Sequence, residues 1–179
     1  MDGNDYAKKG LHQGGLGSQI DAGRSDFLKQ AKVKAASFCA YQERTQQEVR
    51  DKLYSLKLHR DEVEAILSEL ITENFVNEER FAKTYARSKF NHNKWGRIKI
   101  KQGLQQKRIS EYCQKIALTE IDDQAYYQQI EQLGSQKITT VKNTNPWVAK
   151  NKTASYLVGK GYESELVWEV LNGFIDYES

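Results

Sequence analysis

The chain repeats itself. Leu53, Leu58 and Leu67 recur as Leu104, Ile109 and Leu118, and again as Leu157, Tyr162 and Leu171, a skeleton L-x4-[LIY]-x8-L whose leading leucines lie 51 and 53 residues apart. The blocks LHRDEVEAIL, ISEYCQKIAL and YESELVWEVL superpose without a gap. A fixed period of this size marks a tandem array of small units that bury a core only by leaning on one another. One ordinary domain of 179 residues would show no such period.

The units are predicted to be helical. A single Pro and few turn clusters beyond residue 25 suit helices better than a sheet. Phe27, Ala31, Ala35, Phe38 and Cys39 fall on one face of a helix over 26–42. Thr45 and Glu48 form a capping box that starts the next helix, with Val49, Leu53 and Leu56 on one side. Lys57 turns a corner before Leu58, and Asp61 is the expected cap of a helix burying Val63, Ile66, Leu67, Leu70 and Ile71. Asn77 caps a third helix carrying Phe81 and Tyr85, so that one module is three helices. The pattern resumes with Ile100 and Leu104, a Ser110 cap, and an Asp122-capped helix with Tyr126, Ile130 and Leu133 that Gly134 is expected to end. Pro146 suits the first turn of the following helix, through Ala149, Thr153 and Leu157, and a last helix carries Leu166, Val170 and Leu171 to Phe174. The expected organisation is therefore a first module over 43–93, a second over 94–143 and a truncated third over 144–179. Residues 1–25 hold six of the twelve glycines and no apolar period, and are expected to be a disordered tail or an expression remnant.

Several chemistries are absent. His12, His59 and His92 are isolated from one another, and Cys39 and Cys113 form no CxxC, so no metal site, cofactor or disulfide framework is expected. No nucleophile elbow or phosphate-binding glycine loop occurs, and acid pairs such as Asp122-Asp123 stand at helix starts where the dipole accounts for them. The expectation is a protein without catalytic residues. No apolar run approaches the roughly 18 residues of a membrane span, and two lone cysteines suit a reducing compartment, so a cytoplasmic location is expected.

Charge is the informative feature. Net charge is only +3, yet from Arg80 through Ser110 there are ten basic residues and no acid: Arg80, Lys83, Arg87, Lys89, Lys94, Arg97, Lys99, Lys101, Lys107 and Arg108. From Gln132 through Tyr162 five lysines stand without an acid. A surface needed only for solubility mixes signs, so the ten residues are the candidate contacts for a polyanion or a charged protein partner. Phe90 and Trp95 lie among them; Trp95, just before a helix-starting glycine, is expected to be a packing anchor.

The segments ERTQQEVRDKL (43–53), VEAILSELITENFVNEERFAKTYARSKF (63–90), KWGRIKIKQGLQQKRI (94–109) and ASYLVGKGYESELVWEVL (154–171) resemble the RecX regulatory proteins, bacterial modulators of the RecA recombinase. The resemblance implies an elongated, curved all-α array that lies along the groove of the RecA filament. It also implies a non-enzymatic role, inhibiting filament assembly and the recombinase and coprotease activities in DNA repair and recombination. The partner implied is the RecA filament, with single- or double-stranded DNA as a further candidate through the basic surface. The family's Lys-Gly corner appears only as Lys160-Gly161; Leu56-Lys57 and Lys107-Arg108 replace it earlier. An alternative reading is a sequence-tolerant nucleic-acid-binding repeat protein acting without RecA.

Overall fold

The computed structural model describes residues 16–141 and 145–173, with side chains from residue 22 onward. The described residues form nine α-helices and no strand: α1 (Leu16–Tyr41), α2 (Gln46–Ser55), α3 (Arg60–Thr72), α4 (Glu78–Asn91), α5 (Arg97–Gln106), α6 (Glu111–Leu118), α7 (Asp123–Thr140), α8 (Pro146–Gly159) and α9 (Ser164–Gly173). The expected tandem array of three-helix modules is what the structure shows. Its phase, however, is shifted by one helix. α1 packs on α2 and α3, α4 on α5 and α6, and α7 on α8 and α9. Each module thus opens with its long helix, whereas the boundaries at 43, 94 and 144 put that helix last and left the third module truncated. α7 completes the third module, and α1 belongs to the first.

Local chemistry explains where the helices start. Thr45 Oγ1 accepts from the Glu48 amide at 3.1 Å while Glu48 Oε2 accepts from the Thr45 amide at 2.9 Å, the expected capping box. Asn77, Ser110 and Asp122 accept from the amides of Arg80, Cys113 and Ala125 at 2.9, 3.4 and 2.8 Å. α3 departs from expectation: His59, not Asp61, holds the cap position, and its amide donates to Glu62 Oε2 at 2.8 Å. The corner between the second and third helix of each module is left-handed in all three, with φ of 65° at Lys57, 58° at Arg108 and 92° at Gly161. A buried residue follows each corner, Leu58, Ile109 and Tyr162, and holds the strained backbone in place.

Three further expectations are corrected. The helical backbone begins at Leu16, and Arg24 reaches across to pair with Glu62, so residues 16–25 are not a structureless tail; residues 1–15 lie outside the described residues, as does Phe174. Gly134 does not end α7, which runs on to Thr140 with Gly134 buried inside it. Ile71 is largely exposed, because α3 turns only Val63, Ile66, Leu67 and Leu70 inward.

The repeat leucines occupy equivalent places. Leu53, Leu104 and Leu157 are each fully buried. Apolar packing is continuous from Phe81 to Leu171, so the second and third modules share one core, while Ala31 through Val76 form a separate core in the first.

Candidate partner-binding surface

The ten basic residues do not form one surface. Five have acid partners within the array, Arg87 from an exposed position. Arg80 Nε donates to Glu43 Oε1 at 2.5 Å and its Nη2 to the Asn74 carbonyl at 3.1 Å. Lys83 pairs with Glu79 at 2.8 Å and lies 3.6 Å from Glu120, which also receives Arg87 at 3.4 Å. The bond to Glu79 holds the Lys83 ammonium above the usual lysine range. Arg97 donates to the Ile121 carbonyl at 3.1 Å, pairs with Asp123 and stacks on the Tyr126 ring at 4.2 Å. Lys107 meets Glu48 Oε1 at 3.0 Å. Burial alone would raise the Glu48 carboxyl, but bonds from the Thr45 amide and from Lys107 outweigh it and hold the group below its ordinary value. The acids missing from 80–110 are thus supplied from other parts of the fold.

The remaining five have no acid partner among the described residues; Lys101 and Arg108 are exposed, and Lys89, Lys94 and Lys99 half-buried. Lys89 and Lys99 lie on the Trp95 ring, each 5.0 Å from its centroid, and Lys89 also lies 5.3 Å from that of Tyr85. Lys94 precedes this tryptophan in a left-handed conformation, φ 57°. Trp95 is half-buried against the core, as an anchor should be, yet it keeps a ring face for the two lysines. Phe90 is buried and stacks on Tyr126 with centroids 5.9 Å apart, so it is not available to a ligand.

Two lysines outside the ten extend this surface. Lys160 Nζ donates to the Asn93 carbonyl at 3.4 Å and sits 5.5 Å from the Tyr156 ring, which Lys137 approaches to 5.2 Å from the same α7–α8 region. Lys99 Nζ in turn donates to the Gly159 carbonyl at 3.4 Å. The fold therefore lays the two acid-free stretches of the sequence side by side, and the second of them was the signal for Lys137 and Lys160.

What fastens them is a backbone contact. The Gly96 amide donates to the Lys160 carbonyl at 2.9 Å and the Ile98 amide to the Gly161 carbonyl at 3.1 Å, so the α8–α9 corner caps the start of α5. A Cβ on Gly96 would lie 2.1 Å from the Gly161 oxygen, and one on Gly161 would lie 2.3 Å from the Lys99 Cβ. Beneath the corner, Gln129 Nε2 donates to the Tyr162 hydroxyl at 2.7 Å, and that hydroxyl donates to the Lys94 carbonyl at 3.3 Å. Burial pushes the Tyr162 phenol up to about 12 and raises that of Tyr126 further.

No group of three His, Cys, Asp or Glu suited to a metal ion occurs among the described residues, and Cys39 and Cys113 are buried. No described helix is long and apolar enough to cross a membrane.

Comparison with known proteins follows the module pattern. Residues 31–70 match the first three-helix domain of RecX, 77–118 the second and 124–171 the third, which are the groupings α1–α3, α4–α6 and α7–α9. The chain is 29% identical over 145 residues to the regulatory protein RecX of Clostridium acetobutylicum, covering 79% of this chain and 67% of the relative. It is 28% identical over 170 residues to that of Streptococcus uberis, covering 91% and 64%. The chain thus spans about two thirds of the length of these relatives. The crystal structure of RecX from Lactobacillus salivarius superposes with a TM-score of 0.77 at 26% identity, covering 83% of this chain and 97% of that one. With each of its modules matched in order and a neighbour that shares the whole arrangement, the chain belongs to the RecX family of regulatory proteins.

Proposed function

We propose that this protein regulates the RecA recombinase by binding its filament and limiting the filament's assembly, in the cytoplasm and without catalysis. Lys89, Lys94, Lys99, Lys101 and Arg108 are the contacts from the original basic stretch, joined by Lys137 and Lys160. The observation that carries the reading is the sorting of charge within a chain of this family: the basic groups that have acid partners brace the modules, and of those left over Lys89 and Lys99 gather on Trp95 where the second and third modules meet, with Lys160 beside them and Arg108 at the joint with the first. A rigid, basic, repeat-built face suits an elongated partner that is itself periodic and carries bound nucleic acid.

A second reading is favoured by one feature of the same face. Lysines alternate with ring faces along Lys89, Trp95 and Lys99 and again along Lys160, Tyr156 and Lys137. Such alternation also suits a nucleic-acid strand alone. Co-sedimentation with RecA filaments formed on single-stranded DNA, beside the same DNA without RecA, separates the two. Retention by the filament only supports the first, equal retention by bare DNA supports the second, and retention by neither defeats both.

A further inference from the structure

The array contains one joint twice, in two chemistries. The first, 51-residue spacing makes Thr45 equivalent to Gly96 and Glu48 to Lys99, and the second, of 53 residues, makes the corner Lys107-Arg108 equivalent to Lys160-Gly161. In the joint between the second and third modules the start of α5 lies against the α8–α9 corner, and glycine on both sides lets the backbones touch and exchange hydrogen bonds. In the joint between the first and second modules the start of α2 faces the α5–α6 corner, but Thr45 and Arg108 carry side chains where both glycines stood. Among the described residues no backbone hydrogen bond crosses this joint. Its place is taken by two ion pairs, Glu48 with Lys107 and Glu43 with Arg80, and Lys107 also lines a cleft of about 350 Å³ with Thr45, Gln47, Arg50 and Arg108.

Packing agrees with the difference. The apolar core runs unbroken across the glycine joint and stops on either side of the ionic one. Beside the ionic joint Glu43 Oε2 and Arg44 Nε are buried without a hydrogen-bond partner, the Arg44 guanidinium lying on the Phe38 ring of its own module, so this joint is less well satisfied than the glycine one.

We infer that the first module is hinged on a locked pair: α1–α3 swing as one body about the Asn74–Asn77 connection, and the pairs Glu48–Lys107 and Glu43–Arg80 form a salt-sensitive latch that closes the hinge. Interfaces of packed modules move as rigid bodies when few apolar contacts cross them. The inference concerns the free protein and stands apart from the RecA reading; its failure would leave filament binding as it is, and the reverse.

Distances between spin labels on the full-length chain test it. Ser68, Gln105 and Ser155 are exposed sites in the first, second and third modules, and the native Cys39 and Cys113 are buried away from labelling reagents. The pair S68C/Q105C spans the hinge and Q105C/S155C spans the locked joint. Raising salt from 0.1 to 1 M shortens the screening length from about 10 to about 3 Å, so the hinge distribution should become at least about twofold broader than the locked one. E43Q/E48Q, in which glutamine at 48 still serves the capping box, should be broad already at 0.1 M, with circular dichroism confirming intact helices. Equal widths for the two pairs, whether both narrow or both broad, overturn the inference, as does a hinge width indifferent to salt and to E43Q/E48Q.

Discussion

The Tyr126 hydroxyl donates to Glu163 Oε2 at 2.6 Å while accepting from the Arg97 amide at 3.0 Å. One residue near the start of α7 therefore holds both the beginning of α5 and the approach to α9, and it does so from a fully buried position. Removing the hydroxyl leaves a backbone amide and a carboxylate short of a partner. Tyr126→Phe should lower stability by about 1 to 3 kcal/mol, read by urea denaturation. No change would mean that this bond does not brace the module.

The same burial makes stability depend on alkali. An unfolded tyrosine ionises near pH 10, whereas in the fold burial keeps Tyr162 protonated up to about 12 and Tyr126 beyond that. Between these limits the unfolded chain holds fewer protons than the native one, so stability present below pH 10 is lost as pH rises, at about 1.4 kcal/mol per pH unit for each tyrosine. Urea midpoints should fall above pH 10 in the wild type and less steeply in Tyr162→Phe. Parallel slopes would contradict the assignment.

The repeat predicts equal roles for Leu53, Leu104 and Leu157, and the structure buries all three completely. Leu104→Ala should cost about 2 to 5 kcal/mol, while Ile71→Ala on the exposed side of α3 should stay within about 0.5 kcal/mol. Urea melts of the two variants make the comparison, and similar losses would dissolve the distinction.

The left-handed corners make a prediction of opposite sign at chemically different residues. A non-glycine residue in this region costs about 1 to 2 kcal/mol, of which glycine's extra chain entropy takes back part. Lys57→Gly and Arg108→Gly should therefore stabilise by up to about 1 kcal/mol. Gly161→Ala should destabilise, since its φ is 92° and the new Cβ would strike Lys99. Thermal melts showing the same sign at all three would count against corner geometry as the cause.

What could be seen in the sequence depended on how far the causes reach. Caps are local: Thr45 with Glu48, and Asn77, Ser110 and Asp122 with amides three residues on, could all be read from spacing. Module phase is not local, because whether a long helix ends one unit or begins the next is decided by which neighbours it packs on. The period did contain the answer, since Ala31 and Ala35 of α1 stand 51 residues before Ala82 and Ala86 of α4, all four buried. The basic stretch misled for the same reason of distance: the acids that engage Arg80, Lys107, Arg87 and Arg97 lie 37, 59, 33 and 26 residues away.

That division of the basic residues gives the test that bears most on function. Lys94, Lys101 and Arg108 have no ion-pair partner among the described residues, and Lys89 and Lys99 rest on Trp95, where an exposed cation–ring contact is worth about 0.5 to 1 kcal/mol. Replacing Lys89, Lys99 and Lys101 together by Ala should change stability little, because exposed charges contribute about 0 to 1 kcal/mol each. The same variant should bind RecA filaments more weakly. Arg97→Ala should do the reverse: this guanidinium is mostly buried, bonded to the Ile121 carbonyl and stacked on Tyr126, so its loss should lower the urea midpoint. Binding measured on filaments and on bare single-stranded DNA at several salt concentrations identifies the partner. Each phosphate contact removed should reduce the log–log salt slope by about 0.7 on a single strand. A contact made only to acidic protein side chains weakens filament binding and leaves the bare-DNA slope untouched. A folded triple variant with wild-type affinity for both would remove this face from the function of the protein.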